Sequence, residues 1–155
     1  FAYCLMKNHY HIMLHTKKPN LHHAMKYFGE HYGFFINKSL NSSGPVFNTR
    51  YQSKYIHDDR YLLQVLRYIH LNPVESNIIK NYKEYVWSSI HDYLEERFDI
   101  INPSMMKEKF LNKDDFLAYH ELGNSKELNF FYNRKKSPGI LSLKNVEKVN
   151  KNKKT

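Results

Sequence analysis

With one cysteine, Cys4, in 155 residues, no disulfide can close within the chain, which fits a reducing, cytoplasmic setting. No apolar run is long enough to cross a bilayer and no signal-peptide pattern precedes the first strand-like run, so the expectation is a soluble protein with no membrane partner. Acidic residues are scarce, 15 Asp and Glu against 24 Lys and Arg. The resulting charge of +9 and pI near 9.5 favour a polyanionic partner, nucleic acid ahead of an anionic membrane surface. A cut between Phe98 and Asp99 leaves +4 before it (12 basic, 8 acidic) and +5 after it (12 basic, 7 acidic), so the excess is spread over both parts. An initiating Met is lacking too: Phe1 already lies inside a strand-like run, and a segment upstream is expected.

What is present suffices for one domain with a core, at 41% hydrophobic and 15% aromatic residues. Phe1 to Met6 and His9 to Thr16 are apolar-rich runs separated by Lys7-Asn8, the pattern of a tight antiparallel hairpin. On a strand alternate side chains share a face, so His9 and His11 lie on one face while Tyr10 and Ile12 lie on the other. Two neutral imidazoles on a rigid strand fix two positions around a divalent metal, although the spacing alone more often marks solvent-facing histidines.

Asn20 is placed to cap a helix in which Leu21, Met25, Phe28, Tyr32, Phe35 and Ile36 recur at helical spacing as far as Ser43-Gly44-Pro45. This amphipathic helix is expected to pack on the sheet, with Gly29 and Gly33 each weakening it by about 1 kcal/mol relative to Ala. Val46 to Ile56 alternates as a strand with Arg50 and Lys54 on one face, where two cations suit phosphate, although the spacing alone more often marks solvated surface charge. His57-Asp58-Asp59 then starts a second helix with Tyr61, Leu62, Val65, Leu66 and Ile69 inward, and Asn72-Pro73 is expected to end it. Gln64, Tyr68 and Asn72, spaced i, i+4 and i+8, share one side of this helix.

The segments AYCLMKNHYHIML, GPVFNTRYQSKYI and YLLQVLRYIHLNPVESNIIKNYKEYVWSSIHDYL, in that order, resemble the single-strand tyrosine transposases that carry a His-hydrophobic-His motif. They are most similar to the branch associated with repetitive extragenic palindromes, over roughly Ala2 to Leu94. Lys7 stands where that family commonly has Pro, and Tyr10 where it usually has an aliphatic residue. The resemblance implies a ferredoxin-like α+β fold, an antiparallel sheet with helices on one face, lacking part of its N-terminal strand. It implies Tyr68 as nucleophile, with His9, His11 and Asn72 holding a divalent metal, Mg²⁺ or Mn²⁺. The reaction implied is cleavage and rejoining of single-stranded DNA through a 5′-phosphotyrosine, and the partner is single-stranded or hairpin DNA bound by a monomer or homodimer.

A noncatalytic DNA-hairpin-binding domain derived from the same fold is the alternative, and a nicking nuclease using the same tyrosine is a third. Residues 1–98 are expected to form the catalytic domain, 99–143 a helical extension and 144–155 a disordered basic tail. Trp87 is expected to pack rather than touch DNA. His70 and His120 are among eight further histidines with no metal-binding spacing, expected to be surface or packing residues.

Overall fold

The chain opens with strand β1 (Ala2–Leu5), which turns through Lys7-Asn8 into strand β2 (Tyr10–His15) in the computed structural model, which describes residues 1–121 and 140–143. Met6 N–H donates to the His9 carbonyl at 2.8 Å, and the antiparallel register sets Leu5 opposite Tyr10 and Cys4 opposite His11. Alternation then buries Ala2, Cys4, His11 and Met13 on one face of the pair. The hairpin therefore forms as the sequence predicts, except that His9 sits just before the strand rather than within it.

Helix α1 (Leu21–Leu40) ends at Asn41, whose positive φ of 48° suits the left-handed cap position that Asn tolerates. It does not pack as expected, since Met25 is its one buried residue. The inward stripe runs through Gly29 and Gly33, which have no side chain to bury; the Cβ absent at Gly33 would sit 3.9 Å from Val46. Phe28 and Tyr32 instead join Phe47 and Tyr10 in an edge-to-face and tilted ring cluster. Tyr10 projects from β2 away from His11, so α1 lies on the other face of the sheet and the helices are not confined to one face.

Strand β3 is only Ser53–Tyr55, shorter than the expected Val46 to Ile56. Phe47 turns into the ring cluster and Arg50 lies in the preceding loop. Strand β4 (Ile140–Leu143) enters between β2 and β3, giving the order β1-β2-β4-β3, and runs parallel to both. The sheet is thus mixed rather than antiparallel, because periodicity marks a strand without marking its direction or neighbours. The architecture is α+β.

Helix α2 (Asp59–Glu75) covers the inner face of the hairpin. Asp58 caps it, its carboxylate accepting from Tyr61 N–H at 2.7 Å. Leu62, Val65, Leu66 and Ile69 are buried against Ala2, Cys4 and Met13. Pro73 does not end the helix, which closes two residues later. Ile78 N–H donates to Pro73 O at 2.9 Å and Asn77 N–H to Val74 O at 2.9 Å, with Asn77 at φ 55°, which is the double bond of a Schellman cap. Pro73 thus supplies a carbonyl to that cap, although it has no N–H to donate to the preceding turn.

A 3₁₀ turn (Tyr82–Glu84) leads to an extended segment in which Ser88 bridges Cys4 and Leu5 N–H donates to Trp87 O at 2.8 Å. Helices α3 (Ile90–Leu94), α4 (Ser104–Lys107) and α5 (Lys113–Glu121) follow. Phe116 of α5 belongs to the same core as α2, and the segment expected to be helical over 99–143 also contributes β4. The expected tail, 144–155, lies outside the described residues. Trp87 is 60% exposed, which overturns its packing role: Ser88 and Ser89, not the indole, enter the interior. No helix among the described residues is long and apolar enough to cross a membrane.

Candidate active site around Tyr68

Three of the four expected site residues are fixed by the facing of β2 and α2. His11 points inward from β2 and is 4% exposed, and its ring stands edge-on to that of Tyr68 with centroids 5.2 Å apart. Asn72, one helical turn beyond Tyr68 and also 4% exposed, hydrogen-bonds the Tyr68 phenol. Its carbonyl oxygen accepts from the Ser76 hydroxyl at 3.3 Å, again one turn along. The amide is therefore held from both sides in one orientation. His9 completes the group from the hairpin turn, its ring perpendicular to that of His11 with centroids 5.0 Å apart.

The electrostatics favour neutral imidazole at His9, whose pKa is lowered by burial. Its Nδ1 lies 2.8 Å from Asn8 Oδ1, an acceptor only, so Nδ1 carries the proton and Nε2 keeps a lone pair. Burial pushes the Tyr68 phenol above its ordinary value, and the Glu75 carboxylate and Cys4 push the same way, while the Asn72 hydrogen bond opposes them. At neutral pH the phenol is protonated.

Two imidazoles with centroids 5.0 Å apart are close enough for one ion to touch a nitrogen of each at about 2.1 Å. Among the described residues no cluster of three or more His, Cys, Asp and Glu side chains has ligand geometry. The donors at hand are two imidazoles and an amide oxygen. Such a set fits a divalent ion that keeps open positions for phosphate oxygens or water, not a closed structural site.

Arg50 and Lys54 do not join this group. Both are exposed, and Lys54 lies on β3, separated from β2 by β4, hence roughly 10 Å away across the sheet. Sequence reasoning missed Ser76, which the i, i+4 spacing from Asn72 would have found, and the pair His70 and His120, 50 residues apart and joined only by the fold. Comparison with family models, curated proteins and solved structures returned no match.

Proposed function

We propose that this protein is a metal-dependent DNA transposase that cleaves and rejoins single-stranded DNA through a 5′-phosphotyrosine link. A ferredoxin-like origin for β1, β2 and α2, with β4 added between β2 and β3, and a cytoplasmic location belong to the same proposal. One observation carries it: His11 and Tyr68, 57 residues apart in sequence, stand with ring centroids 5.2 Å apart, with His9 and Asn72 as immediate neighbours. A packing role for Tyr68 does not require two imidazoles and a buried, oriented amide around its ring.

In the reaction, the Tyr68 phenol oxygen forms a bond to phosphorus, the P–O3′ bond breaks, and the phenolic proton ends on the released 3′-oxygen. Asn72 orients the phenol and stabilises negative charge on its oxygen by donating a hydrogen bond. His9, His11 and Asn72 would hold Mg²⁺ or Mn²⁺. Such an ion supplies positive charge against the phosphoryl oxygens. The phosphotyrosine ester keeps the energy of the broken bond, so attack by another 3′-hydroxyl rejoins DNA without a nucleotide cofactor.

The test is incubation with labelled single-stranded oligonucleotides and Mn²⁺. An adduct that survives denaturation and is absent from Tyr68→Phe is expected, together with joining of two different oligonucleotides. Cleavage without joining would leave a nicking nuclease. The raised Tyr68 pKa favours the second reading, a noncatalytic domain that binds DNA hairpins. DNA binding with no adduct under any divalent metal would establish that reading in place of the first.

A further inference from the structure

The pole of α1 farthest from the sheet is built of the wrong residues for a solvent face. At 100° per residue Tyr27, His31, Phe34 and Lys38 fall within about 60° of one another, on the side opposite buried Met25. Tyr27 is 64% exposed and Phe34 70%. The Tyr27 ring stacks on His31 with centroids 3.7 Å apart, and His31 Nδ1 donates to the Tyr27 carbonyl at 2.9 Å, so this platform is ordered before anything binds. From Tyr27 to Lys38 the stripe extends for about 16 Å.

Charge selects the occupant. Between Lys17 and Lys54 lie six basic residues and one acidic residue, Glu30. From Tyr55 to Phe98 the balance reverses, with five basic and seven acidic residues. The positive excess of the first 98 residues therefore belongs to α1 and the segments that flank it in sequence.

We infer that the outer face of α1 is a binding surface for single-stranded DNA, on which Tyr27, His31 and Phe34 stack unpaired bases while Lys38 and the flanking cations follow the phosphates. The inference rests on the DNA reading above and assigns that DNA a second contact, on the opposite face from the cleavage chemistry. A strand held here reaches Tyr68 only around the edge of the sheet.

The experiment is fluorescence anisotropy of a labelled poly-dT oligonucleotide with the full chain, without divalent metal, so that no cleavage intervenes. The double variant Tyr27→Ala/Phe34→Ala should bind at least tenfold more weakly. Tyr27→Phe/Phe34→Tyr, which keeps both rings, should bind within twofold of the unaltered chain. The deficit should persist at 0.3 M salt, where phosphate contacts fade and stacking does not. Circular dichroism melts check that these exposed positions leave the fold intact. Equal binding by the double alanine variant overturns the inference, as does equal affinity of the unaltered chain for duplex of the same length. Loss of self-association in sedimentation, in place of loss of DNA binding, likewise overturns it and makes the face a contact between copies. Adduct formation through Tyr68 is scored separately on the unaltered chain, so failure of the cleavage reading and failure of this inference are distinguishable.

Discussion

Acid should destabilise this fold through one buried chain of hydrogen bonds. His120 Nδ1–H donates to the Phe116 carbonyl at 2.8 Å, which leaves Nε2 as an acceptor for His70 Nδ1–H at 2.9 Å. His70 Nε2 then accepts from the Ser89 hydroxyl at 2.9 Å, and Ser89 Oγ accepts from Tyr3 N–H at 2.9 Å. Only one of the two facing nitrogens, His70 Nδ1 and His120 Nε2, can carry a proton, so the two imidazoles cannot both be charged. Both are fully buried, and burial is the main reason that His70 lies well below the ordinary histidine value and His120 is lowered to about 4.

An unfolded histidine titrates near 6.5. Between about 4 and 6.5 the unfolded chain therefore takes up a proton that folded His120 refuses, so stability is complete above 6.5 and is lost as pH falls toward 4. At pH 5 the difference amounts to about 2 kcal/mol for His120 alone, from about 1.4 kcal/mol per pH unit over about 1.5 units. In a domain of this size that lowers Tm by roughly 4–8 °C between pH 7.5 and pH 5.

Denaturant titrations at both pH values measure the loss directly. His120→Phe provides the comparison: it keeps a ring beside Phe116 and Tyr82 but cannot titrate. The variant is less stable at pH 7.5, by about 1–3 kcal/mol, because the His70 Nδ1–H loses its acceptor. Its further loss at pH 5 should be smaller than that of the unaltered chain by about 2 kcal/mol. His9, also lowered by burial, contributes in the same direction in both proteins and cancels in the difference. Equal losses in the two proteins would refute the argument.

Three further outcomes are expected. The buried Cys4 thiol, pushed up to about 12 mainly by burial, should stay unmodified by Ellman's reagent at pH 8 until denaturant is added; stoichiometric labelling of the native protein would contradict this. Leu66→Ala, at a fully buried position between α2 and the hairpin, should cost about 2–5 kcal/mol in urea unfolding, and a loss below about 1 kcal/mol would show that the site collapses around the cavity. Asp58→Ala removes the 2.7 Å cap bond to Tyr61 N–H and should cost about 1 kcal/mol, where Asp58→Asn, which keeps an oxygen acceptor, costs less.

The hairpin, both long helices and the inward stripe of α2 follow from local pattern, because strand alternation, helical spacing and an Asp cap are written within a few residues of each other. The same local rules placed Tyr68 and Asn72 on one side of their helix and His11 one strand position away from Tyr10. The expectation fails at Pro73 through a local bond, since its carbonyl accepts from Ile78 N–H in the helix cap, and at Trp87 through a non-local one, since Ser88 and Ser89 pair with Cys4 and Tyr3 and take the interior place.

By itself the sequence determined which short segments fold and which side chains share a face, since both depend on backbone periods of 2 and 3.6 residues. The tertiary structure alone decided that β4 joins β2 to β3, that His70 meets His120, and that α1 turns aromatic rings outward. Those outcomes depend on contacts between residues up to 128 positions apart, as between Ile12 and Ile140. Such contacts form only when the ordered partner offers enough buried area or hydrogen bonding to offset the entropy of closing the loop between them.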